Sequence, residues 1–325
     1  MILEAVIVCV NYSDFLAHTL PLNKHHFDKM VVVTSLTDHE TKKVCEYHHV
    51  TCIQTDIFYE NGASFAKAKG INKGLESLTQ DGWVLHLDSD VVLPPQFRRT
   101  LEPLDLDPSY LYGVDRLMCT SYKDWADNMR RPFLTQENEI FIHLNSGVMP
   151  VGTRVAKYAT EIGFIPIGFF QLWNPKVSKV SKYPHEHGDA GRTDMLFAYQ
   201  WPRNKRGFIP EIVTIHLESE KLDKMGKNWQ GRKTKIFGPA EESVEEIMAI
   251  THDVLLVVDE VVEVVESIQK KNFNPMLEEY PCYTHDELDF DPPTQMTYGE
   301  EVITDYIFIG LVAAASIIVF LKLIS

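Results

Sequence analysis

The sequence predicts an α/β fold, with a mostly parallel sheet covered by helices. Four short apolar runs bounded by polar residues are typical of buried parallel strands, and they span 5–10, 30–34, 49–54 and 83–87. Two segments of helical composition, 38–48 and 64–78, separate the later runs. Strands that alternate with helices favour one sheet with right-handed crossovers. In such sheets ligands bind beyond the carboxyl ends of the strands, so the polar residues that end each run are candidates for function.

The first apolar run opens the sheet. The stretch 1–12 has neither a basic region nor a small-residue cleavage site, so we expect a strand there and not a signal peptide. The cysteines are odd in number and show no C-x-x-C spacing, which argues against a disulfide framework or a zinc site and favours a reducing compartment. They are Cys9, Cys45, Cys52, Cys119 and Cys282.

The second part of the predicted sheet is less regular. Proline, glycine and aromatic residues are frequent from 101 to 239, and strand candidates lie at 140–143 and 212–216. We interpret this stretch as the second half of the same domain, with loops that close over a ligand. The predicted domain therefore spans 1–239, a length compatible with one large domain.

Charge separates this domain from the tail. The 325-residue chain has a net charge of −15, but 18 acidic residues against two lysines lie in 240–305. The segment 1–239 balances 28 acidic with 28 basic residues. Acidity is therefore a property of the tail, and it does not exclude an anionic ligand at the folded domain.

The tail begins with a heptad pattern over 240–271, flanked by glutamates. This pattern predicts either an amphipathic helix packed on the preceding domain or a self-associating coiled coil that makes a homo-oligomer. Residues 272–305 contain four prolines and are predicted to be an acidic linker. The apolar heptad positions are Ile247, Thr251, Val254, Val258, Val261, Val265 and Ile268.

The last segment, 306–325, predicts one transmembrane helix. Its only charged residue is Lys322, and a helix of this length rises about 30 Å, enough to cross the hydrocarbon core. A lysine near the end can extend to the interface. We therefore expect a single-pass membrane protein attached by this C-terminal helix, with 1–305 on the cytoplasmic side. An apolar helix of a soluble fold is the alternative.

An acidic motif ends the fourth predicted strand. Asp88-Ser89-Asp90 follows the apolar run and precedes a second apolar segment. Two carboxylates two positions apart can hold Mn²⁺ or Mg²⁺, whose other ligands are typically waters and substrate phosphates. Asp-x-Asp is frequent by chance, but at the end of a strand in an α/β sheet it is a candidate metal site.

The stretch that leads to this motif resembles a known family. Gly62-Ala-Ser-Phe-Ala-Lys67-Ala-Lys-Gly-Ile-Asn72-Lys-Gly-Leu, followed by Gly82-Trp-Val-Leu-His-Leu-Asp88-Ser89-Asp90, is similar to the donor-site helix and metal motif of glycosyltransferases of the GT-A fold, specifically family-2-like members. The resemblance covers about residues 3–235 and is most specific over 60–95. It implies a Rossmann-like nucleotide-binding domain, in which the acidic motif carries ribose and metal while Lys67 and Asn72 face the nucleotide sugar.

The resemblance also places the nucleotide base at the ends of the first strands. Asn11 and Tyr12 follow the first strand where the base would lie, and Asp56 ends the third, although a turn or cap is the alternative for each. Many family members end the second strand with an acidic pair that reads uracil, whereas this chain has Thr-Ser-Leu-Thr-Asp38. A UDP-sugar donor is favoured, with guanosine as the alternative base.

Three later segments extend the predicted site by resemblance. Asn145, Ser146 and Gly147 form a turn similar to one that touches the donor sugar. His216 matches the position of a third metal ligand, and neutral imidazole suits Mn²⁺ beside two carboxylates. Lys227, two positions before a tryptophan, resembles an element that grips the diphosphate in family-8 enzymes. An ordinary turn, a structural histidine and a solvated basic loop are the alternatives.

The segment that ends in Asp194 resembles the acceptor-side acidic motif of GT-A enzymes. The resemblance implies that this carboxylate takes the proton from the acceptor hydroxyl as the hydroxyl attacks the anomeric carbon. The alternative is a helix N-cap, because Thr193 and Asp194 precede a helical run.

Together these features predict a metal-dependent, inverting glycosyltransferase with Mn²⁺ or Mg²⁺ at Asp88, Asp90 and His216, and Asp194 as base. A retaining family-8-like transferase is one alternative, and a nucleotide-sugar-binding membrane protein without catalysis is another. The three intact aspartates argue against the second alternative. The acceptor, whether glycan, lipid, protein or nucleic acid, is left open by the sequence.

Overall fold

Residues 1–135 and 164–239 are described by the structure, a computed structural model. The chain divides into two compact units, Met1–Asp253 and Val254–Ser325, and the second lies wholly outside the described residues. The predicted strand 140–143, the turn Asn145–Gly147, the heptad segment, the linker and the C-terminal anchor also fall outside them. Within the described part of the chain, no helix combines the length and apolar character needed to span a membrane.

Within the described ranges, eight strands form one mixed sheet in the order β3-β2-β1-β4-β7-β6-β8-β5. They are β1 Leu3–Val8, β2 Lys29–Ser35, β3 Thr51–Thr55, β4 Trp83–Asp88, β5 Val91–Val92, β6 Leu111–Cys119, β7 Phe170–Trp173 and β8 Arg206–Leu217. β1 pairs in parallel with both β2 and β4, and β2 with β3. β7 pairs antiparallel with β4 and β6, whereas β6 and β8 are parallel. The predicted α/β class, with a Rossmann-like parallel half, is confirmed.

Helices cover both faces of this sheet. They are α1 Ser13–Asn23, α2 His39–Tyr47, α3 Lys67–Leu75, α4 Phe97–Leu101, α5 Tyr122–Asp124, α6 Arg130–Thr135, α7 Pro175–Ser178 and α8 Thr193–Ala198, with a π-helical turn at Trp125–Met129 and 3₁₀ turns at Lys24–His26, Glu60–Gly62 and Arg203–Lys205. The predicted helices 38–48 and 64–78 are confirmed with shorter bounds, as α2 and α3.

The sequence analysis missed α1. Ten of its eleven residues are buried, so it lacks the apolar stripe and polar face by which an amphipathic helix is detected. Its interior also contains Pro21, a residue that argues against a helix. Burial on all sides therefore removed the periodic signal.

Two hydrophobic cores lie on opposite faces of the parallel strands. Ala5 and Ile7 of β1 belong to the core beneath α1 and α2, while Val6 and Val8 belong to the core beneath α3. Burial on both faces explains why β1 reads as a continuous apolar run. A Cβ added at Gly74 would lie 2.4 Å from Val6 Cγ2. Helix α3 therefore packs so closely on the sheet that only glycine fits at this position.

Two histidines are buried within the core without a carboxylate partner among their ring contacts. His18 of α1 packs edge-on against Phe237, with centroids 5.5 Å apart, and His26 packs against Phe97 at 5.5 Å. Burial lowers the pKa of His18 to about 3, assisted by the charge of Arg130. Burial likewise lowers the pKa of His26 to about 3, assisted by neighbouring cations. Both rings are therefore neutral in the folded protein.

We expect acid to destabilise the protein through these two rings. Below pH 6.5 the unfolded chain binds protons that the folded chain takes up only near pH 3, so the free energy of unfolding falls as the pH drops through that window. The loss is about 2 kcal/mol per histidine between pH 7 and pH 5. Urea denaturation at both pH values should show a smaller difference for His26→Gln than for the unchanged protein. The exposed His39→Gln serves as control, and an equal reduction there would contradict the assignment.

Candidate active site

One cavity of about 430 Å³ gathers seven of the twelve predicted site residues that lie in the described part of the chain. It lies beyond the carboxyl ends of β1 and β4, whose register aligns Val8 with Asp88. Its polar and aromatic lining includes Tyr12, Lys67, His86, Asp88, Asp90, Arg116, Phe169, Asp194, His216, Glu218, Lys221, Lys227 and Trp229. The site therefore lies where parallel strands of an α/β sheet place ligands.

A lysine and the first motif aspartate form the central ion pair. Lys67, at the start of α3, places Nζ 2.5 Å from Asp88 Oδ1, and both side chains are largely shielded from solvent. Burial opposes the positive charge, but the attraction of Asp88, reinforced by Asp194 and Asp90, raises the pKa of Lys67. One ammonium group thus stands among three carboxylates.

The second motif aspartate faces His216. The antiparallel pairing of β5 with β8 aligns Val91 with His216, which brings His216 Nε2 to 3.3 Å from Asp90 Oδ1. This oxygen is buried and makes no well-aligned hydrogen bond, although the imidazole lies within ion-pair distance. A buried carboxylate oxygen without a well-aligned donor is a position that a cation would satisfy.

Arg116 of β6 holds the other side of the histidine ring. Its Nη1 donates to His216 Nδ1, and its guanidinium lies 4.5 Å from the centre of the Phe169 ring. Because arginine only donates, Nδ1 must accept, and the proton of a neutral ring then sits on Nε2. In this arrangement Nε2 presents a proton, not a lone pair, to Asp90. Metal ligation by His216 would require Arg116 to release the ring, and it stays a prediction.

The acidic motif fits a divalent cation with few protein ligands. Among the described residues, no three or more His, Cys, Asp or Glu side chains stand close enough together to form a complete metal site. Asp88 and Asp90 supply carboxylate oxygens, which Mg²⁺ and Mn²⁺ accept, and these ions commonly complete their shells with water and phosphate oxygens. The residues present fit an ion that arrives with an anionic substrate.

Asp194 is fixed in the first turn of α8. Its Oδ2 accepts from the backbone N–H of Gly168 at 3.0 Å, and its Oδ1 accepts from the N–H of Met195 at 2.9 Å. The N-cap position belongs to Arg192, so the interpretation of Asp194 as the N-cap is wrong. The carboxylate is half-buried and lines the cavity.

Asn72 does not face the cavity, contrary to the prediction. It lies on the buried side of α3, where its Nδ2 donates to the carbonyl of Tyr183 at 2.9 Å and its Oδ1 accepts from the N–H of Tyr183 at 2.7 Å. Both amide groups are therefore used to dock the segment around Tyr183 onto α3. Tyr183 in turn donates through its hydroxyl to Gln171 at 2.6 Å.

Three further predicted donor contacts lie away from the cavity lining. Asp38 is buried as the N-cap of α2, with Oδ1 accepting from Thr41 N and Oδ2 from the N–H of Asn11 at 2.6 Å. Ser89 is buried, and Asp56 is exposed directly after β3. Asp38 therefore fixes the start of α2 and the backbone of Asn11.

The remaining predicted contacts lie in or against the loop around Asn228. Tyr12 lines the cavity, and its hydroxyl accepts from the backbone N–H of Asn228 at 3.0 Å. Asn11, with a left-handed φ of 59°, donates through Nδ2 to the carbonyl of Asn228 at 3.1 Å. Lys227 lines the cavity with Nζ 4.8 Å from the centre of the Trp229 ring.

Sequence reasoning missed Arg116 and His86. His86 lies two positions before Asp88, on the same face of β4, and is fully buried. Burial, reinforced by the charge of Lys67, lowers its pKa to about 3. Both residues could have been found as polar side chains inside apolar strands. His86 interrupts β4, and Arg116 interrupts β6.

Comparisons with known proteins give matches among solved structures only. No family model and no curated protein matches the sequence. The chain is similar to glucosyl-3-phosphoglycerate synthase from Mycobacterium tuberculosis in complex with Mn²⁺, uridine diphosphate and phosphoglyceric acid, with 15% identity and a TM-score of 0.41 over 69% of this chain and 73% of that one. A nucleotidyl transferase from Methanothermobacter thermautotroptrophicus matches with 14% identity and a TM-score of 0.27 over 35% of this chain and 62% of that one. We therefore base the function on the residues of the cavity.

The corrected role of Asn72 predicts a loss of stability. Asn72→Ala leaves the buried N–H of Tyr183 without its partner and removes the shorter of two contacts to the Tyr183 carbonyl, which costs about 1–3 kcal/mol. Urea denaturation should show this loss. Lys73→Ala, at the next position on α3, removes only an exposed ion pair with Glu76 and should cost about 0.5 kcal/mol or less. Equal losses in the two variants would refute the docking role.

Proposed function

We propose that this protein is a metal-dependent glycosyltransferase, which moves a sugar from a nucleotide-sugar, with a UDP-sugar favoured, to an acceptor hydroxyl. The observation that carries the proposal is the meeting of Asp88 and Asp90, Lys67 and Asp194 in one cavity beyond the strand ends. Transfer of a sugar from a diphosphate requires positive charge to stabilise the leaving phosphates. In an inverting reaction it also requires a carboxylate that takes the proton of the acceptor hydroxyl.

The charge of the cavity suits a diphosphate that arrives with a cation. Lys67 is paired with Asp88 in this structure, and an incoming diphosphate offers the ammonium an alternative anion. Lys227 lies on the loop that borders the same cavity. When bound at Asp88 and Asp90, Mn²⁺ or Mg²⁺ neutralises charge that develops on the leaving diphosphate.

Asp194 is the general base of the proposed inverting reaction. Backbone N–H groups of Gly168 and Met195 fix both of its oxygens, which orients the carboxylate while leaving lone pairs for an acceptor hydroxyl. In the proposed step the hydroxyl oxygen forms a bond to the anomeric carbon, the bond to the diphosphate breaks, and the hydroxyl proton passes to Asp194.

Two alternatives are kept because particular residues favour them. A retaining, family-8-like transferase is favoured by Lys227 beside Trp229, since this pair borders the cavity. A nucleotide-sugar-binding protein without catalysis requires Asp194 to be structural, and its bond to Gly168 gives it a structural contact. The product configuration and an Asp194 variant separate these cases.

The sequence of the tail is the basis for a proposal on membrane attachment and self-association. We propose a single-pass anchor at 306–325 that keeps the catalytic domain on the cytoplasmic side, and association of copies through 240–271. Membrane attachment favours a lipid-linked or membrane-proximal glycan as acceptor, with a protein or a nucleic acid as alternatives.

The metal hypothesis predicts a shared loss in two variants. Asp90→Asn and His216→Ala should each weaken Mn²⁺-dependent binding of UDP about tenfold or more, because each removes a candidate ligand. Isothermal titration calorimetry with and without EDTA measures this effect. Asp56→Asn, an exposed change away from the cavity, is the matched control. UDP affinity that is indifferent to EDTA and to both variants would remove the metal from the mechanism.

The base hypothesis predicts that Asp194→Asn separates binding from transfer. Asparagine keeps the size of the side chain and an oxygen for the Gly168 N–H, so donor and metal should still bind. Loss of the proton acceptor should lower kcat about 10²–10⁴-fold. Asp189→Asn, in the preceding loop, should leave kcat unchanged.

The anomeric configuration of the product, read by NMR, decides between the mechanisms. Inversion, together with lost transfer in Asp194→Asn, supports the base. Retention of configuration would reject it in favour of the family-8-like alternative.

A further inference from the structure

A hairpin-like loop crosses the cavity, and we name residues 220–237 the strap. Its two limbs are joined by a bridge between Lys221 and Thr234, and by hydrogen bonds from Leu222 N to Lys233 O at 2.7 Å and from Lys235 N to Glu220 O at 2.8 Å. The fully buried Asn228 side chain strengthens the limbs, since its Oδ1 accepts from Lys233 N and Thr234 N at 2.7 and 3.0 Å. The strap is therefore a defined element.

The second limb of the strap is anchored to α1. Arg232 forms a two-pronged ion pair with the buried Asp14 of α1, at 2.8 and 2.7 Å, and Asp14 also accepts from Phe237 N. The tip lies between Gly226 and Gly231, both with positive φ, at 57° and 101°. Glycine adopts this conformation without steric cost, so these two positions suit hinges.

The tip forms hydrogen bonds with Asn11 and Tyr12, the two residues predicted to hold the nucleotide base. The carbonyl of Asn228 accepts from Asn11 Nδ2 at 3.1 Å, and the N–H of Asn228 donates to the hydroxyl of Tyr12 at 3.0 Å. One residue thus presents one acceptor and one donor to the end of β1. Uracil and guanine present the same pair, a ring N–H beside a carbonyl. Adenine and cytosine would instead require Tyr12 to donate and the Asn11 amide to turn over.

An aromatic contact completes this arrangement. The Trp229 ring stacks on Phe65 with centroids 4.8 Å apart and planes 4° from parallel. The Trp229 carbonyl accepts from the Tyr59 hydroxyl, and Gln230 Nε2 donates to Ser64 O at 2.7 Å. The indole of Trp229, the residue that follows Asn228, therefore borders the cavity.

We propose that the tip of the strap is an internal competitor for the nucleotide base, and that the donor binds only after displacing it. The inference rests on the proposed function and names the base class as one with a ring N–H beside a carbonyl. The backbone of Asn228 occupies the polar partners of the base, and the Trp229 ring adds the stacking contact. Arg232 keeps the second limb on Asp14 when the tip lifts, and lifting breaks the bonds of the Asn228 side chain to Lys233 N and Thr234 N.

A competitor and a lid differ in the sign of one variant. If Trp229 held the bound base, Trp229→Ala would weaken nucleotide binding. If the tip competes, Trp229→Ala removes a stack that stabilises the closed strap and should tighten binding of UDP or GDP about 2- to 10-fold. Gln230→Ala removes the exposed bond to Ser64 and should tighten binding to a smaller extent.

The experiment titrates UDP, GDP and ADP in the presence of Mn²⁺ into the full chain by calorimetry. Leu222→Ala, an exposed change on the same strap, is the matched control and should leave every affinity unchanged. Tighter UDP or GDP binding in both tip variants, with ADP weak throughout, supports the proposal. Unchanged or weaker binding in both tip variants overturns it, as does ADP that binds as well as UDP and GDP.

The failure of the proposed function has a different signature. If neither the unchanged protein nor any variant binds a nucleoside diphosphate, the glycosyltransferase proposal falls and the strap inference falls with it. If the unchanged protein binds and the variants bind less tightly, only the strap inference is overturned.

Discussion

The parallel pairing of β1 with β4 is the constraint on which the site depends. Val8 of β1 is aligned with Asp88 of β4 on one side and with Val33 of β2 on the other. The three strands therefore end along the same edge of the sheet. Both faces of these strands are buried, and an uncompensated charge within them would be costly. Charged groups are therefore concentrated at the strand ends, where α3 brings Lys67 within reach of Asp88.

Charge balance explains how so many carboxylates share a partly buried cavity. Asp88, Asp90 and Asp194 surround the ammonium of Lys67, and attraction between opposite charges is stronger in a cleft than in water. Such a group of acids has room for a second cation once an anion engages the lysine. The cavity is therefore organised for a ligand that is itself an anion accompanied by a cation.

Contacts between residues distant in the sequence occupy polar groups at the ends of the strands. Asn11 and Tyr12 are hydrogen-bonded to the backbone of Asn228, more than two hundred positions later in the chain. Arg116, from the second half of the sheet, fixes the ring of His216. Both contacts occupy groups that a substrate or a metal would use, so binding at this site exchanges internal partners for external ones.

The sequence by itself determined the parallel half of the sheet, because the apolar runs of buried strands and the polar residues that bound them are local features of the chain. It also identified these cavity residues: Tyr12, Lys67, Asp88, Asp90, Asp194, His216 and Lys227. Only the tertiary structure showed that Asn72 faces Tyr183 and that Asp38 caps a helix. It alone revealed the buried α1 and the strap. No local pattern specifies which distant group meets a given side chain, since that depends on how the whole chain packs.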